Sequence, residues 1–309
     1  MLDNPLVSIC CITYNHAPYI RQCLDGFLMQ KTNFKYEIVI HDDCSTDGTT
    51  EIIKEYAFKY PDIFVPLYED ENQYSKGVRG ISAKFVYPKA RGKYIALCEG
   101  DDYWIDENKL QIQVDFLERN PEYTMCFHNA IEHYEDGSVP DKEFSQVENR
   151  DYSGIEFFKH WIVPTASVVI RKVVIENQFY NNLKNDPDLL FGDTPLFLTA
   201  SKFGKVYGSS IVMAVYRRQE NGASYGISLE RNRKHIKHNN MLAKYFPDFK
   251  RKICIVNIKI RCFSAAIALM NNNKKYVTQF LGKNICLYIL MMLYYIKYTI
   301  LKKDFFIVK

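Results

Sequence analysis

The sequence predicts an α/β fold: a mostly parallel, doubly wound sheet with helices on both faces, plus a basic helical C-terminal region. Three observations predict it. Between residues 6 and 127, short apolar runs alternate with helical periodicity, the βαβ pattern of a parallel sheet. Three of those runs stop at polar clusters: Tyr14-Asn15, Asp42-Asp43 and Asp101-Asp102. From Arg231 onward, 17 Lys and Arg stand against two acids, Asp248 and Asp304, whereas the preceding residues hold 23 bases and 34 acids.

The strands are read from apolar runs too short for helices. Leu6–Thr13 (LVSICCIT) is nearly all apolar, as a central strand covered on both faces requires. Cys10 and Cys11 in it would point to opposite faces. A helix should start near Asn15 or His16, with Pro18 in its first turn and Ile20, Cys23, Leu24 and Phe27 inward. Tyr36–Ile40 is the second strand. Cap-rich Cys44–Thr49 then opens a helix ended by Pro61. Ile63–Leu67 is a third strand, 77–90 a loop plus helix, and Tyr94–Cys98 a fourth strand. Asp106 should cap a helix over Glu107–Arg119, and Tyr123–Phe127 is the next strand.

Beyond it, 136–149 reads as an exposed loop, Ser153–Trp161 as a helix and Ser167–Ile170 as a strand. A helix should run from Gly192 to Phe203. Val206–Tyr216 is strand-like with a break at Gly208-Ser209-Ser210, and 217–226 is a polar loop. The expected domains are 1–226 and a basic helical region, 227–309. In the latter, Ile285–Ile296 is apolar for twelve residues, short of the ~20 that span a bilayer. With Lys250-Arg251-Lys252 and Lys302-Lys303, it suits an interfacial helix over anionic lipid. The competing reading is a structural appendage or dimer contact.

Composition limits the chemistry. With 47% hydrophobic and 25% charged residues, the 309-residue chain is globular, with room for one large domain plus an appendage. Nine cysteines form no C-x-x-C pair and no zinc spacing, so reduced thiols and a cytoplasmic setting are expected. The stretch before the first strand is polar and carries no targeting pattern. The phosphate-loop, dinucleotide and nucleophile-elbow motifs are all missing. Nucleic acid is not an expected partner, because the basic region carries no recognised binding motif.

Chemistry is expected where the strands end, since ligands of such sheets bind outside the carboxyl ends. Gly92–Asp106 (GKYIALCEGDDYWID) is the central stretch. Adjacent carboxylates at the mouth of a buried strand are costly without a cation nearby. A divalent metal carrying a diphosphate would meet that need; an acidic surface turn is the alternative.

Together, Val7–Asn15 (VSICCITYN), Asp42–Thr49 (DDCSTDGT), Gly92–Trp104 (GKYIALCEGDDYW), Gly192–Leu196 (GDTPL) and Tyr216-Arg217 resemble the family 2 glycosyltransferases, whose catalytic domain has the GT-A fold. The resemblance spans roughly residues 5–224 and implies a non-processive, bacterial surface-polysaccharide enzyme that is inverting and metal-dependent. The implied donor is a nucleotide diphosphate sugar, UDP-linked, bound within about 1–130. The implied acceptor is a surface glycan or lipid-linked hydroxyl, met by about 131–226 at the inner face of the cell membrane. It makes Thr13, Tyr14, Asn15 and Asp43 the nucleobase and ribose contacts. It makes Asp101 and Asp102 the motif for Mn2+ or Mg2+, with Asp102 the direct ligand. Asp193 becomes the base that takes the acceptor proton, and Arg217 a diphosphate contact. Each has a plainer alternative. Asp42 and Asp43 could cap around Asp47, Asp193 could cap its helix, and Arg217-Arg218 could be an exposed pair. Glu99 competes with Asp193 as the working carboxylate. The family often follows the Arg with His, and here Gln219 follows. The processive Gln-x-x-Arg-Trp signature is absent. A non-catalytic nucleotide-sugar-binding scaffold and a sugar nucleotidyltransferase are the other readings.

Overall fold

The computed structural model describes residues 4–159, 161–219 and 228–301, without the side chains of Lys159 and 294–301. Residues 220–226 of the expected loop, and Lys302-Lys303, lie outside the described residues. The chain divides into two compact units, Met1–Asn185 with Phe191–Gly222, and Asp186–Leu190 with Ala223–Lys309.

The first unit opens with β1 (Val7–Thr13), α1 (Ile20–Leu28), β2 (Tyr36–Asp42), α2 (Thr49–Lys59), β3 (Phe64–Tyr68) and β4 (Tyr94–Glu99). The order β3-β2-β1-β4 is parallel throughout. Burial explains why β1 reads as one apolar run. Val7, Ile9 and Cys11 enter the core on one face of the sheet and Cys10 the core on the other. The parallel pairing brings the carboxyl ends of β2, β1 and β4 to one edge.

The second half is less regular. It adds β5 (Tyr103–Trp104), α3 (Lys109–Arg119), β6 (Tyr123–Tyr134), β7 (Lys142–Glu143), β8 (Arg150–Tyr152), α4 (Gly154–Lys159) and β9 (Val169–Arg171). Then come α5 (Lys172–Glu176), α6 (Gln178–Lys184), α7 (Asp193–Phe203) and β10 (Lys205–Arg218). The sheet continues β4-β9-β6-β10-β5, with β9 antiparallel to both neighbours and β6 parallel to β10. The expected break at Gly208-Ser209-Ser210 is a register shift between Ser209 and Val212 inside one continuous strand. Arg217 therefore lies in β10 rather than in the expected polar loop.

Three helices differ from expectation. α3 starts at Lys109 with Asn108, not Asp106, in the capping place; Asp106 Oδ1 accepts from Asn108 N–H at 2.8 Å. α1 begins at Ile20, because the amides before it are satisfied by another loop. Asn15 N–H donates to Ser45 Oγ (2.9 Å), His16 N–H to Thr49 Oγ1 (2.8 Å) and Ala17 N–H to Asp47 Oδ2 (2.9 Å). The expected helix within 77–90 is a π-helical turn, Ser82–Val86, followed by a 3-10 turn, Tyr87–Lys89. Pro88 has no amide hydrogen to extend it.

Trp104 anchors the segment after β4. Its ring meets Phe27 edge-on at 4.7 Å and its Nε1 donates to Ala166 O at 2.8 Å. A Cβ on Gly26 would sit 3.0 Å from the Trp104 backbone, so α1 comes this close only because residue 26 lacks one.

The second unit consists of α8 (Leu229–Tyr245), α9 (Lys250–Met270), α10 (Lys274–Leu281) and α11 (Ile285–Leu301) around Ile236, Ile260, Ala265, Phe280 and Met291. Asn239 and Asn257 are hydrogen-bonded at 2.9 Å inside it.

Lys109 is wholly buried beneath Trp104, with Nζ 4.0 Å from the ring centre and 2.8 Å from Gln113 Oε1. Burial pushes its ammonium down to about 7. Between there and the ordinary lysine value, the native chain binds fewer protons than the unfolded chain, so this group favours folding as pH rises. Lys109→Met keeps the volume and deletes the titration. The melting temperature of the parent relative to Lys109→Met should climb as pH rises from about 7; a flat difference by calorimetry would contradict a buried, displaced ammonium.

Candidate active site

The acidic turn follows from β4. Gly100 N–H donates to Ile12 O at 2.9 Å, which folds the chain back against β1. A Cβ there would lie 2.6 Å from Thr13 Oγ1 and 2.7 Å from its Cβ, so this approach needs glycine. The turn exposes Glu99 and Asp101 partly and buries Asp102.

Asp102 accepts one hydrogen bond, from the Arg217 main-chain N–H to Oδ1 at 2.9 Å. Its other oxygen, Oδ2, is buried without a partner among the described residues. Burial, then the Asp101 charge, holds this carboxyl well above the usual carboxylate range. Asp101 Oδ2 accepts from Gln219 Nε2 at 2.8 Å and lies 3.9 Å from His16 Nε2. Glu99 is raised to about 8, by burial first and then by Asp101 and Asp193.

Asp193 thus reaches the same field from the first turn of α7. It does not act as the helix cap: Gly192 holds that place, and Asp193 Oδ1 accepts from the next N–H, of Thr194, at 2.7 Å. Burial raises its carboxyl. Glu99 thus lies within electrostatic reach of Asp101 and Asp193, and Asp102 within reach of Asp101 and Glu99, so carboxylates from two distant segments act on one another.

The β1 and β2 ends are built differently. Asp42 is consumed locally, accepting from Ser45 N–H (3.2 Å), Ser45 Oγ (2.5 Å) and the Thr50 hydroxyl. Asp43 holds the loop after β3, taking Gln73 N–H on Oδ1 (2.7 Å) and Tyr74 N–H on Oδ2 (3.0 Å). Thr13 Oγ1 lies 3.1 Å from His16 Nδ1. Asn15, at φ +55°, accepts Thr46 N–H on its side chain at 2.8 Å, a conformation Asn tolerates better than most residues. Tyr14 is exposed. Asp43 follows β2 and the acidic turn follows β4, two strands whose carboxyl ends are about 10 Å apart with β1 between them.

Arg217 is not an exposed cation. Its guanidinium bonds Glu135 and Gln22 and lies over the rings of Tyr103 (4.5 Å) and Tyr19 (5.1 Å). Arg218 pairs with buried Glu132 at 2.6 Å. Sequence reasoning did not find Glu135, Gln22 and His16 as neighbours of the site, and noted Gln219 only as a departure. Their contacts cross 115 residues or more in three of the four cases, a separation no local pattern reports.

Among the described residues no group of three or more His, Cys, Asp and Glu is set to hold a metal ion. The carboxylates still fit a divalent cation of the kind that takes one or two protein oxygens plus substrate phosphates. The unpartnered Oδ2 of Asp102 is the observation that favours the fit.

A mixed sheet, parallel through β3-β2-β1-β4 and bearing an acidic turn after β4, places the chain among the doubly wound α/β folds. The family model described as glycosyl transferase family 2 matches residues 8–179, and the chain belongs to that family. An uncharacterised protein of Mycobacterium tuberculosis is 39% identical over 230 residues, covering 74% of this chain and 63% of that one. This chain thus spans under two thirds of that relative's length. A putative teichuronic acid biosynthesis glycosyltransferase of Bacillus subtilis, TuaG, is 29% identical, covering 72% and 82%. Two solved structures share the GT-A fold. Staphylococcus aureus TarS 1–349 with UDP-GlcNAc has a TM-score of 0.57 at 17% identity, covering 77% of this chain and 66% of that one. The mannosyltransferase PcManGT of Pyrobaculum calidifontis, with GDP-Man and Mn2+, has 0.55 at 16%, covering 97% and 88%.

Glu99→Gln tests the crowding of charge. A carboxyl raised to about 8 stabilises the fold fully below its unfolded value, and that stability is lost as pH rises to about 8. The variant has no such loss. Its melting temperature minus that of the parent should grow from pH 5 to about 8; parallel curves would mean that Glu99 ionises freely.

Proposed function

We propose that the chain transfers one sugar from a UDP-sugar to a hydroxyl of a surface glycan or lipid-linked acceptor, by single displacement with inversion. The carrying observation is the convergence of Glu99, Asp101, Asp102 and Asp193 at the carboxyl edge of a family 2 sheet. TarS with UDP-GlcNAc, of the same fold, supports the donor class, and the teichuronic acid relative supports a cell-surface acceptor. The basic second unit supports work at the inner face of the membrane.

In this reading the nucleoside lies along Thr13, Tyr14 and Asn15 at the end of β1. Asp43 fixes the loop that walls the base, and its carboxylate retains lone pairs for an imide N–H. Asp102, aided by Asp101, holds Mn2+ or Mg2+, which when bound offsets charge on the departing diphosphate. Arg217 fixes Asp102 through its main-chain N–H and adds positive charge beside the leaving group. Both its Nη atoms already have partners, so its part is position and field more than direct clamping.

Asp193 is the base. The acceptor oxygen attacks the anomeric carbon, its proton passes to the Asp193 carboxylate, and the bond to the diphosphate breaks with its electron pair leaving on UDP. A base with a raised affinity for protons is better matched to an alcohol than an ordinary aspartate. Glu99 belongs to the same turn as the proposed metal ligands Asp101 and Asp102, whereas Asp193 comes from a separate element, α7, which favours Asp193 over it as base.

Two substitutions separate these roles, read by UDP release from a panel of UDP-sugars and by thermal shift. Asp102→Ala should lose both transfer and the Mn2+-dependent part of UDP-induced stabilisation; retained turnover would remove it as a ligand. Asp193→Asn should keep UDP stabilisation and lose transfer by about 10²–10⁴-fold. An active Asn variant would transfer the base role elsewhere, and pyrophosphate in place of UDP as product would replace the whole reading with nucleotidyl transfer.

A further inference from the structure

The second unit leaves one apolar surface without a partner. α11 begins ICLYILMML, and an apolar helix of this kind needs cover on all sides. It has cover on one. Leu287 and Tyr288 are half-buried and Met291 is buried in the helical core, with Leu287 O accepting from Cys262 Sγ at 3.7 Å. Ile285 (74% exposed), Ile289 (59%), Met292 (43%) and Leu293 (59%) remain open. Their spacing, i, i+4, i+7 and i+8, puts them on one stripe.

Charge beside the stripe is of one sign. Lys274 and Lys275 on α10 and Lys283 in the α10–α11 turn are exposed, and none has an ion-pair partner among the described residues. The sequence from Asp248 to Asp304 holds no acid between those two and eleven Lys and Arg. A second copy docked stripe to stripe would therefore bring lysines to lysines with no local acid to separate them. An anionic sheet of headgroups over an apolar interior complements both features at once.

We propose that the second unit docks on an anionic lipid surface, with Ile285, Ile289, Met292 and Leu293 entering the interface and Lys274, Lys275 and Lys283 meeting the headgroups. The helices lie on the membrane and do not cross it. The apolar run of α11, Ile285–Ile296, ends at Lys297 after twelve residues, about 18 Å of helix, short of the hydrocarbon core. It is bent 120° from α10, so the two do not form one straight span. Among the described residues only Pro247–Met270 is long and apolar enough to cross, and 56% of its apolar window is buried inside the protein. This inference names the surface behind the membrane location proposed above. It rests on α10 and α11 alone, not on the transfer chemistry.

Flotation of the full chain with vesicles tests it. The parent should float with vesicles containing phosphatidylglycerol, stay down with pure phosphatidylcholine, and be released by salt. Ile289→Asp with Leu293→Asp should abolish flotation while melting temperature and UDP release from soluble donor stay at parent values. Reversing Lys274, Lys275 and Lys283 to Glu should weaken it at least about a hundredfold. Equal flotation with neutral vesicles, no flotation at all, or parent-like flotation of the Asp variant each overturns the proposal. So does a lipid-free dimer, seen by ultracentrifugation, that the Asp variant dissociates. Loss of flotation with UDP release intact bears only on this surface; loss of UDP release with flotation intact bears only on the transfer reading.

Discussion

The interaction on which the rest of the structure depends is repulsion among carboxylates. Asp101 and Asp193 raise the proton affinity of Glu99, and Asp101 and Glu99 raise that of Asp102, on top of the larger effect of burial. Nearby positive charge is already committed. Arg217 is bonded to Glu135 and Gln22, and the buried ammonium of Lys109 is itself pushed down to about 7. His16 approaches Asp101 only to 3.9 Å. Left alone, such a cluster would splay apart or protonate. It persists because the backbone around it is over-determined: the Gly100 turn is locked against β1, Trp104 is pinned to Phe27 and Ala166, and Asp102 is tied to β10.

Hydrogen bonding sorts the acidic residues of this edge into two kinds. Asp42, Asp43 and Asp47 spend both oxygens on neighbouring loops. They build the walls at the ends of β1 and β2. Asp102 accepts one main-chain N–H and keeps its other oxygen buried without a partner among the described residues. A carboxylate whose bonds are all internal explains a loop; one left open in a buried site has a cost that only a ligand or a proton offsets. That distinction follows from bond counts and needs no knowledge of homologues.

The sequence made the parallel half of the sheet legible because each of its strands is a local apolar run. The other half was not, for physical reasons. Pairing of β6 with β10, and insertion of the short antiparallel β9 between β4 and β6, are long-range choices that no window of a few residues encodes. Arg217 was assigned to a loop because charge at a strand end looks like a turn; its guanidinium is sheltered by Glu135 and two aromatic rings instead. The start of α1 was misplaced because Asn15, His16 and Ala17 give their amides to α2's loop, a partner 30 or more residues away. Asp101 and Asp102 drew notice because adjacent acids after a buried run break a local rule, whereas Asp193 drew notice only through the family resemblance.

Charge distribution then constrains how substrates arrive. The residues before Arg231 carry eleven more acids than bases, and those from Arg231 onward fifteen more bases than acids. A nucleotide diphosphate sugar is an anion, so the acidic part of the chain offers it no long-range attraction. In the proposed reading, affinity is made instead at short range, by hydrogen bonds at the β1 edge and by a cation held against Asp102. The basic part faces the opposite balance: it attracts anionic surfaces at distances up to a Debye length and has exposed aliphatic side chains to insert once there. One net charge of +4 therefore hides two electrostatic problems with separate solutions, a local one for the donor and an extended one for the surface.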